Sequence, residues 1–296
     1  MRGAEEGLLL LCCRLGQPAV KPLTAAEYRQ TESYVNAMTL TRAKGELGRV
    51  SPKHLAALGF SEEMSKRIVS LLDRPRVLHD YLSAHKDITA ITRLDEQRFP
   101  QRLRKLGLDC PPVLFCKGDV SLLNTRCIAA VGSRLLFERG RRFAQEIGRL
   151  AAREGFALVS GNAAGADTAA QEACLDAGGR VICFLPDELT RCAARENVLY
   201  CSAYGYDLPF STGRALYRNR LIHALGEKVF VAQCPGTSGG TWSGTAENLK
   251  RGLSDVFVLD DGSDGARSLC ELGAIPVGDT LPPIADLLSY QLSIFD

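Results

Sequence analysis

Three glycine-rich segments of this chain are places where a backbone could meet an anion. They are Gly132-Ser133-Arg134, Ser160-Gly161-Asn162 running on to Gly165 and Asp167, and Ser238-Gly239-Gly240-Thr241. Glycine lets amide N–H groups approach a ligand closely, and a helix opening at such a loop adds roughly half a positive charge. The hydroxyls of Ser133, Ser160, Ser238 and Thr241 supply further donors. A fourth segment, Arg218-Asn219-Arg220, carries two guanidinium groups, whose planar fork suits phosphate better than an ammonium does. One such loop would read equally well as a tight turn, because turns need glycine for their own conformation. Three loops and an arginine pair together predict a phosphate cradle.

The cradle forms only if the fold brings these segments to one place. The runs Ile128–Val131, Phe156–Ser160, Arg180–Leu185, Lys228–Gln233, Asp255–Leu259 and Ile275–Val277 read as strands. Between them lie helical patterns at Glu138–Arg153, from Asp167 to Ala177, Ala193–Ala203, Thr212–Leu225, Gly244–Gly252 and Arg267–Leu272. Strand–helix alternation means right-handed crossovers and a parallel sheet. The expected fold class is therefore α/β, a Rossmann-like doubly wound, mostly parallel sheet over residues 93–280. In such a sheet all three glycine loops lie at the carboxyl ends of strands and can share one crevice.

Residues 1–92 read as a small helical domain, with apolar spacing near the helical period over Glu5–Leu15, Ala25–Met38, Pro52–Leu58 and Glu62–Leu72. Gly59 ends one helix, and Ser61, followed by Glu62 and Glu63, is placed to cap the next. Two short helices about such a turn resemble a helix–hairpin–helix or SAM-like module. A proline-broken connector, Arg98 to Pro112, leads to the sheet, and residues 281–296 form a tail.

Composition narrows the class. Hydrophobic residues make up 46% of 296 and charged residues 24%, which excludes disorder and leaves ample material for a core. The apolar run Leu8–Cys13 follows Glu5 and Glu6; it is too short to span a bilayer and has the wrong flank for a signal peptide. A cytoplasmic protein is expected. The eleven cysteines form no C-x-x-C pair and the four histidines are scattered. No metal site is predicted, and the thiols read as small buried side chains in a reducing compartment. Net charge is only +2, but residues 98–153 hold twelve Lys/Arg against four acids, whereas 254–296 hold eight acids against one arginine. That asymmetry suits a polyanion partner at the basic part.

Familiar nucleotide chemistries do not fit. The loop after the first strand has one glycine and then Arg134, not the G-x-G-x-x-G of a dinucleotide site, and no G-x-x-x-x-G-K-[ST] P-loop is present. Ser160-Gly161-Asn162 is not a nucleophile elbow, and His223 has no sequence partner as a base. No cofactor and no catalytic residue are predicted.

The ordered motifs do resemble a family. Phe99-Pro100 with Leu103, then Pro111-Pro112-Val113-Leu114-Phe115 and Gly118, are similar to its proline-rich lead-in. Val131-Gly132-Ser133-Arg134, Ser160-Gly161 with Gly165 and Asp167, Arg218-Asn219-Arg220, Ser238-Gly239 with Thr241, and Thr245-Ala246 complete the DprA/Smf pattern. The resemblance implies a non-enzymatic protein, often a homodimer, that binds single-stranded DNA and hands it to a RecA-type recombinase during uptake, recombination or anti-phage defence. On that reading the phosphate-binding residues are Gly132, Ser133, Arg134, Ser160, Gly161, Asn162, Arg218, Asn219, Arg220, Ser238, Gly239, Gly240 and Thr241. The chain departs from the pattern in two places. Gln171 stands where the family has a histidine, and of a G-x-x-x-x-Y-P-x-x-N stretch only Asn197 is matched. A divergent branch is expected, without the winged helix that many members carry at the carboxyl end.

Two further resemblances carry their own expectations. Gly239–Glu247 resembles the G-G-x-G-T-x-x-E signature of LOG-type phosphoribohydrolases, which implies that Glu247 helps to cleave an N-glycosidic bond of a nucleotide, or that the crevice is a nucleotide-binding sensor. The terminal Gln291-Leu292-Ser293-Ile294-Phe295 resembles the peptide by which bacterial proteins dock on the replicative sliding clamp. Gln291 would hydrogen-bond there, while Leu292, Ile294 and Phe295 would fill an apolar pocket.

Overall fold

The computed structural model describes residues 3–32 and 50–287. Nine strands form one sheet: β1 (Ile88–Thr92), β2 (Val113–Lys117), β3 (Cys127–Val131), β4 (Ala157–Ser160), β5 (Arg180–Phe184), β6 (Val198–Ser202), β7 (Lys228–Val231), β8 (Asp255–Leu259) and β9 (Ile275–Val277). Their order is β1-β2-β6-β5-β4-β3-β7-β8-β9. The seven strands from β6 to β9 run parallel, and β1 and β2 add an antiparallel edge.

Helices cover both faces, as a parallel sheet demands. Alternate residues of the strands feed two cores. Ile128 and Ala130 of β3 join one, with Val113 and Phe115 of β2. Cys127, Ala129 and Val131 join the other, with Leu114 and Cys116. The first face carries α6 (Glu138–Arg153) and α7 (Ala166–Asp176), and the second carries α8 (Thr212–Leu225). Near α8 on the second face lie α9 (Gly239–Arg251) and α10 (Asp264–Glu271). Eight of the eleven cysteines are buried and fill core positions as small apolar groups, the place expected for them.

The amino-terminal region is helical: α1 (Gly3–Cys12), α2 (described over 25–32), α3 (Pro52–Ala57), α4 (Glu62–Leu72) and α5 (Pro75–Ala84). Ser61 accepts from Met64 N at the start of α4, the cap expected of it. Leu8–Leu11 of α1 are at most 1% exposed, each burial being worth roughly 1.5–3 kcal/mol. These helices pack into the same core as Val113 and Phe115. The expected boundary at 92/93 falls at the end of β1, which pairs with β2 from Ile88↔Lys117 to Thr92↔Val113. No helix of the described residues is long and apolar enough to cross a membrane.

Two local expectations are corrected. Ala193–Ala203 is not a helix: Val198–Ser202 is strand β6. Asn197 takes a left-handed φ of 59°, which stops any helix there, and the apolar run behind it suits a buried strand. The helix expected to start at Gly244 starts at Gly239. This difference matters for function, because it turns Ser238–Thr241 from a loop into a helix amino terminus.

Candidate anion-binding cleft

A cleft of about 490 Å³ opens above the carboxyl ends of β3 and β7. After β3 the chain winds through β4, β5 and β6 to one side, then returns to place β7 on the other. The space between β3 and β7 is thus the topological switch point, where open α/β sheets bind ligands. The lining draws on all the expected segments: Gly132, Ser133 and Arg134; Ala163 and Asp167; Arg218 and Asn219; Ser238, Gly239, Gly240 and Thr241. Exposed Phe210 and Leu216 add an apolar wall.

Arg218 sits at the centre of this arrangement. It is 7% exposed on α8, beneath the loop after β4. Its Nη1 lies 3.7 Å from Asp167 Oδ2, an ion pair too long to be a hydrogen bond. Its Nε is sealed from solvent without an acceptor. The same Asp167 oxygen accepts from Gly161 N at 3.0 Å and Ala163 N at 3.2 Å, which holds the loop. Gly161 is glycine because a Cβ there would fall 1.0 Å from Arg218 Nη1. Gly165 is glycine because of its φ of +85° and the Ser133 carbonyl, 2.4 Å from where a Cβ would lie. Burial lowers the Arg218 pKa from its usual value, with Asp167 opposing that and Arg134 adding to it. Burial also raises Asp167, against the pull of Arg218. A buried guanidinium with unused donors is costly unless an anion joins it.

Two other walls complete the electrostatics. Arg134 is exposed and forms no ion pair among the described residues. The amino end of α9 faces the cleft with no acid in its first turn and no side-chain cap from Ser238. Its first amide N–H groups therefore lack intrahelical acceptors, and the positive end of the helix is open. Asn219 Nδ2 donates to the Gly240 carbonyl at 3.2 Å and ties α8 to this turn.

Four expected site residues lie elsewhere. Ser160 is fully buried, and its Oγ accepts from Gln171 Nε2; strand alternation turns the hydroxyl into the core. Gln171 thus has a structural use. Gly161 and Asn162 form the loop behind Ala163 rather than the cleft wall. Arg220 is on the opposite side of α8, two positions from Arg218, where a helix cannot present both to one ligand. It pairs with Glu247 at 2.8 Å and with Asp109 at 3.8 Å, and the Glu247 hydrogen bond raises its pKa. Arg251 joins the same cluster, 2.8 Å from Asp109 and 3.2 Å from Glu247. Glu247 is therefore held by two arginines and does not line the cleft, which removes the acid that a phosphoribohydrolase would need. The Gln291–Phe295 segment lies outside the described residues.

One cleft residue escaped sequence reasoning. His223 is 2% exposed, and burial lowers its pKa to about 4. Asn248 Nδ2 lies 3.1 Å from its Nδ1 and 3.0 Å from Ser254 Oγ. Ser254 Oγ in turn donates to the His223 carbonyl at 2.9 Å. A neutral imidazole accepting at Nδ1 is locked under the start of α9. Asn248 and Ser254 are six residues apart, and no spacing rule links them to His223.

The chain is similar to known proteins. The family model "DNA recombination-mediator protein A" matches residues 90–281. The chain is 31% identical to Protein Smf of Borreliella burgdorferi over 199 residues, covering 61% of each chain. It is 32% identical to DNA processing protein DprA of Streptococcus pneumoniae over 181 residues, covering 56% of this chain and 63% of that one. The chain thus spans about three-fifths of the length of these two relatives. The solved structure of DprA from Streptococcus pneumoniae superposes with a TM-score of 0.69 at 23% identity, covering 89% of this chain and 92% of that one. DNA processing protein A from Helicobacter pylori, described for its single-stranded DNA binding mode, gives a TM-score of 0.55 at 28% identity, covering 64% and 90%.

Proposed function

This chain belongs to the DNA recombination-mediator protein A family, and on that premise we propose that it binds single-stranded DNA in the cleft between β3 and β7. The observation that carries the reading is Arg218, a buried cation with an unsatisfied Nε that lines one cavity together with Arg134 and the open amino end of α9. Backbone and guanidinium donors recognise phosphates without reading bases, which gives sequence-tolerant binding. The protein acts by holding the strand, with no bond made or broken.

Further partners are proposed, the dimer and the recombinase on the same premise and the clamp on the resemblance of the terminal peptide. The protein works in the cytoplasm as a homodimer and presents the strand to a RecA-type recombinase, while its terminal Gln291-Leu292-Ser293-Ile294-Phe295 docks on the sliding clamp. Light scattering, recombinase loading on coated single strands, and clamp titration with a chain stopped after Tyr290 test these three partners in turn. The primary test is fluorescence anisotropy with labelled oligo-dT across a salt series. Binding that weakens steeply with salt supports the reading, since each phosphate contact contributes about 0.7 to the slope. Absence of binding at low salt refutes it.

A further inference from the structure

Beyond the cleft, the segment Leu135–Phe137 between β3 and α6 packs Leu136 against the core but turns the side chains of Leu135 and Phe137 outward. Leu135 is 84% exposed and Phe137 74% exposed. Phe137 occupies the cap position of α6, with φ −74° and ψ 162°, and makes no side-chain cap hydrogen bond. That geometry suits Ser, Thr, Asp or Asn, which would satisfy a free amide of the first turn; the ring does nothing for the helix. Yet the backbone beneath it is fixed. Buried Gln233 accepts from Phe137 N at 2.8 Å through Oε1 and donates to the Leu135 carbonyl at 3.0 Å through Nε2. An apolar ring displayed at the expense of a helix cap, on a rigid backbone, points to a contact with something outside the chain.

Its surroundings identify the occupant. Arg134, on the cleft wall, immediately precedes the segment. Arg141, exposed and without an ion pair among the described residues, lies one helical turn beyond Phe137, its N–H donating to the Phe137 carbonyl at 3.0 Å. An exposed aromatic residue flanked in the chain by two exposed arginines suits a polymer that alternates flat bases with phosphates. We infer that a single strand leaves the cleft across this rim, with a nucleobase stacked on Phe137 and the following phosphate at Arg141. The inference rests on the proposed occupancy of the cleft and adds that bases, not only phosphates, are held.

The experiment compares oligo-dT with an abasic oligonucleotide of equal length, on the full chain and on Phe137→Ser and Arg141→Ala. The parent should bind oligo-dT more tightly than the abasic strand. Phe137→Ser should weaken oligo-dT binding about five- to a hundredfold, the range for losing one base stack, with abasic binding and salt slope unchanged. Its melting temperature should hold or rise, because serine supplies the missing cap, so weakened binding cannot be a folding defect. Arg141→Ala should lower the salt slope by about 0.7. Equal parent affinity for the two strands, or full oligo-dT affinity in Phe137→Ser, would overturn the base contact and leave the cleft intact. A parent that binds neither strand would remove the cleft reading and this inference with it.

Discussion

Replacing Arg218 by methionine separates what this residue does for the fold from what it does for the ligand. Its Nη1 stands 3.7 Å from Asp167 Oδ2, and at an effective dielectric of about 20 that attraction is worth roughly 4 kcal/mol. Methionine has similar length and fills the space, but it leaves the buried Asp167 carboxylate with only the Gly161 and Ala163 amides. Removing one partner of a buried pair costs about 3–5 kcal/mol, because the other charge is stranded. Arg218→Met should therefore lose about that much stability by urea unfolding at pH 7. The loss should shrink on acidification: burial already raises Asp167 in the folded state, so folding is favoured below its unfolded pKa and disfavoured as pH rises through the folded one. Adding Asp167→Asn removes the stranded charge and should restore most of the stability. DNA binding should not return in the double variant. With the charge-assisted bonds to phosphate gone, affinity should fall about 10- to 100-fold, and the salt slope by about 0.7. A stable double variant with parental affinity for oligo-dT would refute the argument, since Arg218 would then be a structural cation only.

Other substitutions probe the rest of the account. Gly161→Ala would put a methyl group 1.0 Å from Arg218 Nη1, so the guanidinium must move; affinity and stability should fall together, as read by anisotropy and thermal melts. Glu247→Gln should leave oligo-dT affinity within about twofold and cost no more than about 1 kcal/mol, because its partners are partly exposed; release of adenine from AMP by the parent and its disappearance in the variant would contradict the placement. His223, with a pKa lowered to about 4 by burial, must charge on unfolding as pH falls below about 6.5. The stability it confers is complete above that pH and is lost on acidification, about 2 kcal/mol between pH 7 and 5. His223→Gln should flatten that part of the pH–stability curve.

The sequence revealed the cleft better than its individual residues. Strand–helix alternation and three glycine loops are enough to put the loops at the carboxyl ends of parallel strands, whereas the order that sets β4, β3 and β7 side by side is visible only in the fold. The amino-terminal strand β1 was hidden among helices: Ile88–Thr92 is too short to show a period before its pairing with β2 is known. Ala193–Ala203 misled because alanine and arginine favour helix locally, while the buried sheet required a strand at Val198. Within the site, Arg218 and Arg220 both read as phosphate ligands although they lie on different faces of one helix; two residues turn about 200° and send one into the cleft and the other to Glu247. Ser160 reads as a phosphate contact because its hydroxyl is polar, but its position on β4 aims it inward at Gln171. His223 gave no signal at all, since Asn248 and Ser254 meet it only in the folded chain.

Amide hydrogen exchange, measured with and without saturating oligo-dT, tests the occupied cleft most directly because it reports binding and its location together. Slowed exchange should appear over residues 132–135, 161–165 and 238–242, the three loops around Arg218, and should fade as salt is raised. Protection confined to the amino-terminal helices, or none in these loops while the oligonucleotide is bound, would contradict the account.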